Sequence, residues 1–455
     1  MGPHGEAIAA VWGLTTKPSR SVGITKKEKN MKKIITIAAT IVVLFTSCRK
    51  EADYMPYIGE NGKLAYSTYT EQFDYLWKVL STGYVFWDVD TTDWDAAYDR
   101  YLPKFQELDA KYEKQGYVPT EELKSLYTGL IGGLRDHHLT FRVRNLHPAP
   151  DDESSVVSVT PCMLEIPTRD YYFESSSDEN QRIQTFLQNI ESQYTVETHE
   201  TCVGLAPELG MYVTYHYVLF KLSDGRKVPY LWQSSAGITP IILQGGEAAQ
   251  LLDHYFRAIT ETPREQLAGI ILDNRCNRGG YQDDLDYLIG SYLNEKKEIM
   301  KTRYKEGPGR LEYSPWTPYY ISPNTRYHRD ITAENIPYVI LCDINSVSMG
   351  EIEPMTIKAV LPTSHTVGER THGGTGPLQP ATSIDLHYGG PFGNSNMSEG
   401  HYVYTSSFEA LIGGKVWEGI GHTPDEIVLR KDYDGDLRPQ LDAAFRYIQN
   451  QPVNQ

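Results

Sequence analysis

Pro337-Tyr338-Val339-Ile340-Leu341-Cys342 runs directly into Asp343-Ile344-Asn345-Ser346-Val347-Ser348-Met349-Gly350-Glu351. The first six residues form a short apolar run of the kind found in strands covered on both faces, and an apolar, helix-like stretch follows Gly350. A strand-to-helix turn therefore falls at Ser348. A serine there sits where free N–H groups and the helix dipole favour an oxyanion. A plain N-cap serine belongs at the same place, and these residues alone leave both roles open.

A second strand of the same type, Gly269 to Asp273, runs into Asn274-Arg275-Cys276-Asn277-Arg278-Gly279-Gly280. The paired glycines mark either a turn that needs positive φ or a stretch of bare N–H groups able to face a developing negative charge. Amphipathic stretches at Ala248 to Ile259 and Gln440 to Ile448 supply helical layers, which makes the last half an α/β core. Upstream, Tyr212 to Leu222 and Lys227 to Ser234 read as a hairpin around Ser223-Asp224-Gly225-Arg226. Residues 148–210 are polar and irregular, with one helical stretch at Ile183 to Ile190. Helical spacing covers Tyr69 to Phe105, with a capping-box-like start at Thr92 to Asp95, and Thr120 opens a further helix. These helices form a bundle that ends at Asp136-His137-His138.

The chain has 455 residues, 40% hydrophobic and 22% charged, in the range of a folded globular protein. Its formal net charge is -16, and without the lysine-rich first 47 residues it is about -21, which argues against nucleic acid as a partner. Met31-Lys32-Lys33, an apolar run from Ile34 to Phe45, and Thr46-Ser47-Cys48 read as a cleaved signal peptide. Residues 1–30 look like an upstream extension. Cys276 and Cys342 read as packing residues, whereas Cys162 and Cys202 could pair in an oxidising compartment.

Five stretches together complete a pattern. Leu134-Arg135-Asp136-His137-His138-Leu139 fits Leu-x-Asp-x-His; the strand end Asp273 to Gly280 fits Asp-x-Arg-x-Asn-x-Gly-Gly; Ser346 to Glu351 fits Ser-x-Ser-x-Gly-Glu. Val367-Gly368-Glu369-Arg370-Thr371-His372-Gly373-Gly374 and Glu418-Gly419-Ile420-Gly421-His422-Thr423-Pro424-Asp425 follow. In order and spacing the chain resembles the tricorn and carboxyl-terminal-processing serine peptidases from about residue 66 to the end. The small residues before Cys48 resemble the bacterial lipoprotein signal, in which the cysteine is acylated, and Arg49 to Asp53 resemble a tag for the outer cell surface.

The resemblance implies an α/β fold with a ClpP/crotonase-like catalytic core. Its expected parts are an extension and signal over 1–47, a linker over 48–65, a helical domain over 66–147, a middle segment over 148–226 and the core over 227–455. It also implies Ser348 as nucleophile, with an oxyanion hole from Met349, Gly279 and Gly280. One branch of the family activates its serine with a lysine in a Gly-Lys-Gly turn, but here that turn reads Gly373-Gly374-Thr375. The tricorn branch, which includes the photoreceptor retinoid-binding protein, uses a histidine and an orienting carboxylate, matched by His138 and Glu418. A neutral imidazole can take the serine proton while a carboxylate fixes its tautomer.

The chain departs from that branch in three places. His137 stands where tricorn has a serine, Pro354 falls inside the helix after Ser348 and should kink it or shift its start, and no PDZ signature is present. No cofactor is implied. Adjacent histidines on a strand would point apart and no third ligand is evident, so no metal is expected at His137 and His138; Asp432, Asp434 and Asp436 look like a calcium loop but fit better as caps of the last helix. The expected protein is a cell-envelope, outer-membrane lipoprotein, periplasmic or surface-exposed, acting on peptide or unfolded protein. The alternative is a non-catalytic lipoprotein that uses the same fold, and some of its 33 tyrosines, to bind a peptide, glycan or lipid.

Overall fold

Ile270–Asp273 and Tyr338–Cys342 lie side by side in parallel, and every residue of both is buried. Alternate side chains enter opposite layers, as strand geometry requires. Ile270, Leu272, Tyr338 and Ile340 join one hydrophobic cluster with Leu252, Tyr255, Phe256 and Ile352. Ile271, Val339 and Leu341 join the other with Leu441, Ala444, Phe445 and Ile448. The strands are therefore the middle layer of an α/β sandwich, and burying each such aliphatic side chain contributes roughly 1.5–3 kcal/mol.

The computed structural model describes residues 66–161, 176–207, 210–377, 388–393 and 400–452. Cys48 and Cys162 lie outside these residues; Cys202 is a free thiol. In chain order the elements are α1 (Tyr69–Gly83), α2 (Trp94–Gln115), α3 (Thr120–Ile131), β1 (Thr140–Arg144), β2 (Val156–Val159) and α4 (Ser176–Gln188). Then come β3 (Val196–Ala206), β4 (Met211–Lys221), β5 (Lys227–Gln233), α5 (Ile238–Gln244), α6 (Glu247–Glu261), β6 (Ile270–Asp273), β7 (Lys297–Tyr304) and β8 (Thr317–Ile321). The last are β9 (Tyr338–Cys342), α7 (Met349–Val360), β10 (Ser364–Gly368), β11 (Phe392–Gly393), β12 (His401–Tyr404), β13 (Phe408–Ile412), β14 (Lys415–Val416), β15 (Glu426–Ile427) and α8 (Arg438–Asn450).

The main sheet has the order β15-β10-β9-β6-β5-β4-β3, parallel from β15 to β5 and antiparallel from β5 to β3. The expected hairpin is β4–β5, closed by Gly225 at φ 87°. Strands β3 and β4, which the sequence set apart in a middle segment, are the antiparallel flank of this sheet. On β4, Val213, Tyr215 and Tyr217 face the helix α6 side of the core, whereas Val218 and Phe220 face the α8 side.

Two four-stranded sheets, β11-β12-β1-β2 and β14-β13-β7-β8, were not read in the sequence. The first pairs β1, just after His138, with β12, and so ties the end of the helical bundle to the C-terminal part of the chain. Helix starts also differ from expectation. Asp93, not Thr92, caps α2 by accepting from Ala96 N at 3.0 Å, and the full capping box is Thr68 with Glu71 at the head of α1. Thr120 opens α3, but the capping oxygen comes from Asp152, which accepts from Thr120 N at 2.9 Å.

Candidate active site

Ser348 stands between β9 and α7 with φ 57° and ψ −126°. Positive φ is disfavoured for a residue with a Cβ, at a cost of about 1–3 kcal/mol, so neighbours must hold it. They do so by backbone bonds. Val347 N donates to Asn277 O at 3.0 Å and Ser348 N to Gly374 O at 2.8 Å, while Asp343 Oδ1 accepts from Cys276 N at 2.9 Å and Asn345 N at 3.0 Å. The Ser348 side chain makes no capping bond. Of the two roles the sequence left open, the plain N-cap is therefore not the one adopted.

The loop after β6 packs against that serine. Asp273 pairs with the buried Arg275 (Nε at 2.9 Å), whose Nη1 reaches Leu437 O and Gln440 Oε1, each at 3.1 Å, so the loop is pinned to α8. Gly279 has φ 84°, and a Cβ there would lie 2.4 Å from Ser348 Cβ and 2.8 Å from Met349 N. Only glycine fits this approach. One expected role changes: Gly279 N–H already donates to Asn277 Oδ1 at 2.9 Å, so this residue contributes space rather than a free donor. The N–H groups of Gly280 and Met349 have no acceptor among the described residues.

His137 and His138 occupy a turn between α3 and β1, not the strand expected for them. Asp136 shapes the turn: its oxygens accept from His138 N (2.8 Å), Thr405 Oγ1 (2.6 Å), Ser406 N (2.8 Å) and Ser406 Oγ (3.0 Å). Gly374, whose carbonyl takes the Ser348 N–H, also faces the His138 ring: a Cβ on it would lie 3.4 Å from His138 Cε1. Serine and imidazole are thus separated by a single glycine. The same glycine stands where the other branch carries its lysine.

Glu418 is fully buried beside them. Its Oε1 accepts from His137 N at 2.8 Å, and its Oε2 accepts from Thr375 N (2.6 Å), Gly376 N (2.7 Å) and Thr375 Oγ1 (3.1 Å). It therefore reaches the backbone of His137 instead of bonding the His138 ring. Even so, a ring nitrogen of His138 and oxygens of Asp136 and Glu418 lie within 4.8 Å of one another, and His138 Nδ1 is buried without a partner among the described residues. The cluster supplies the third ligand that the sequence did not reveal, but it does not fit a metal. Each carboxylate oxygen is aimed at by N–H or O–H donors, which a cation would have to displace.

Burial pushes His138 below the ordinary imidazole value, and the Asp136 charge opposes that shift. His137 falls to about 4, again by burial, with its Nδ1 3.0 Å from His372 O. Glu418 is pushed well up by burial and by Asp136, against the pull of its backbone donors. A neutral, desolvated imidazole can accept a proton, and free N–H groups at the Ser348 turn can hold an oxyanion.

Residues 243–426 match the sequence model of peptidase family S41. Over those residues the chain is similar to the serine-type peptidases of that family. Solved structures share the fold. A candidate peptidase from Parabacteroides merdae is 20% identical, with 84% of this chain and 97% of that one aligned at a TM-score of 0.56. Mature CPAF is 13% identical over 84% of this chain and 98% of its own, at 0.51. No curated protein matches the sequence.

A further residue holds the site, and the sequence showed it only as a letter of a motif. Glu351, buried on the first turn of α7, accepts from Thr371 Oγ1 (2.6 Å), Gly373 N (2.9 Å) and Gly374 N (2.6 Å), and burial raises it to about 7. Pro354 lies inside α7 without shifting its start. The carbonyl its missing N–H would have used, Gly350 O, accepts from Asn274 Nδ2 at 3.3 Å. Asp436, not all three late aspartates, engages the last helix, accepting from Arg438 N at 3.0 Å.

Proposed function

We propose that this protein hydrolyses peptide bonds with Ser348 as nucleophile, His138 as general base and Glu418 as the carboxylate that organises the site. Ser348 Oγ attacks the scissile carbonyl as His138 takes its proton. The tetrahedral oxyanion is held by the Gly280 and Met349 N–H groups. His138 then returns the proton to the leaving amine, and water, activated by the same imidazole, releases the acyl group. The observation that carries this reading is Gly374, which bonds the Ser348 N–H through its carbonyl and has the His138 ring within a Cβ's reach. Glu418 acts through the backbone: it fixes His137 N on one side and Thr375–Gly376 on the other, so the turn bearing His138 keeps its distance from Ser348. His138→Ala should lower acylation by several orders of magnitude, about 10⁴-fold by comparison with other triads. A near-wild-type rate in that variant rejects His138 as the base.

The peptidase is further proposed to be exported and anchored in the cell envelope through an acylated Cys48, with peptides or unfolded proteins as substrates. The order of lysines, apolar run and Thr46-Ser47-Cys48 supports the anchor. Among the described residues no helix is long and apolar enough to cross a membrane. Cys48→Ala should abolish partitioning into the detergent phase; a variant that still partitions like wild type rules the anchor out.

A further inference from the structure

Arg278 is an exposed arginine one residue from the glycine that touches Ser348, and its guanidinium makes no ion pair or hydrogen bond among the described residues. That is unusual in so acidic a chain. It lines a polar cavity of about 270 Å³ together with Ser234, Ser235, Thr214, Tyr212 and Asn180. The cavity wall is fastened to the Gly279–Gly280 turn. Arg278 N donates to Ser234 O at 3.3 Å, Ala236 N to Gly279 O at 2.9 Å, and Tyr281 N to Ala236 O at 3.1 Å. Tyr212, 73% exposed, stands at the rim.

We propose that this cavity is a substrate subsite for a carboxylate, held by the Arg278 guanidinium and the surrounding hydroxyls within a residue or two of the scissile bond. Resting on the catalytic reading above, the proposal adds a substrate class: peptides with an acidic group near the cleavage point. A planar guanidinium presents paired donors that match a carboxylate, and the hydroxyls can donate to its remaining lone pairs. No carboxylate among the described residues occupies Arg278, and the proposed subsite takes that group from the substrate. Two sources share that chemistry: an Asp or Glu side chain and a free chain terminus.

Internally quenched peptides carrying Glu, Gln or Lys at each position flanking the cleaved bond, each made with a free or an amidated C-terminus, separate the two. Wild type should favour one carboxylate arm by about ten- to hundredfold in kcat/KM, the usual gain from charge-assisted hydrogen bonds. Preference for Glu over Gln assigns a side chain, and preference for the free over the amidated end assigns a terminus. Arg278→Gln should erase the preference and Arg278→Lys should keep part of it, with fluorophosphonate labelling of Ser348 unchanged in both. An enzyme that labels normally but shows no carboxylate preference, or keeps it in Arg278→Gln, overturns the proposal. Should wild type fail to label, the catalytic reading is what fails. Anisotropy of the same peptides then decides the subsite: charge-dependent binding that Arg278→Gln removes supports it, and its absence overturns it.

Discussion

Glu351 and Glu418 grip one loop from two sides. Glu351, on α7 behind the serine, takes the N–H groups of Gly373 and Gly374; Glu418 takes those of Thr375 and Gly376. Each also accepts from a threonine hydroxyl, Thr371 for the first and Thr375 for the second. Arg370 offsets the burial of Glu351 only in part, and Asp136 adds to that of Glu418, so both are pushed up. They differ in what else they hold. Glu351 carries the loop alone, whereas Glu418 also holds His137 N and lies next to His138. Four consecutive N–H groups fixed by two carboxylates place Gly374 between nucleophile and base, so the loop is positioned by hydrogen bonds that need acceptors on both sides.

If Glu418 does more than Glu351, its loss should cost more. Glu418→Gln puts an amide NH₂ against an N–H donor and slackens both the His137 turn and the Thr375–Gly376 segment. A fall in kcat of roughly a thousandfold, with KM little changed, is expected from steady-state kinetics on a cleaved peptide. Glu351→Gln should displace Gly374 without touching His137, and a smaller loss of about ten- to hundredfold follows for a sub-ångström misplacement. Equal losses in the two variants would dissolve the distinction.

The pH profile sharpens it further. Because burial lowers His138 below 6.5, kcat/KM should hold constant on acidification from neutral pH and fall only below that value, as the imidazole gains its proton. Asp136 supplies the charge that opposes this shift. Asp136→Asn removes a negative charge beside the imidazolium, so the acid limb should move to lower pH, while Glu351→Gln should leave it in place. An acid limb above 6.5, or one that rises in Asp136→Asn, contradicts the assignment.

Much of this frame could be read from the chain because it is local. The runs at Ile270–Asp273 and Tyr338–Cys342, the β4–β5 turn and the amphipathic helices α6 and α8 each announce themselves within a few residues. The motif residues Ser348, His138 and Glu418 stood out through resemblance to a family, and the fold brings all three around Gly374. What stayed hidden depends on contacts far along the chain. The positive φ of Ser348 is imposed by Asn277 and Gly374, the donor lost at Gly279 is taken by a neighbouring asparagine, and the Glu351 cradle forms only when α7 meets the loop some 22 residues on. The sheet β14-β13-β7-β8 escaped for another reason: β7 is buried at Ile299 and Met300 but polar and half-exposed after them, so no period stands out.

The central claim is that Ser348 is a nucleophile activated by His138, and covalent labelling tests it without knowledge of the substrate. A fluorophosphonate probe followed by intact mass and peptide mapping should add one adduct, on Ser348, in wild type. The adduct should vanish in Ser348→Ala and form orders of magnitude more slowly in His138→Ala, and slowly too in Glu418→Gln. Labelling at another residue, or a Ser348 adduct that forms at the wild-type rate without His138, would contradict the account.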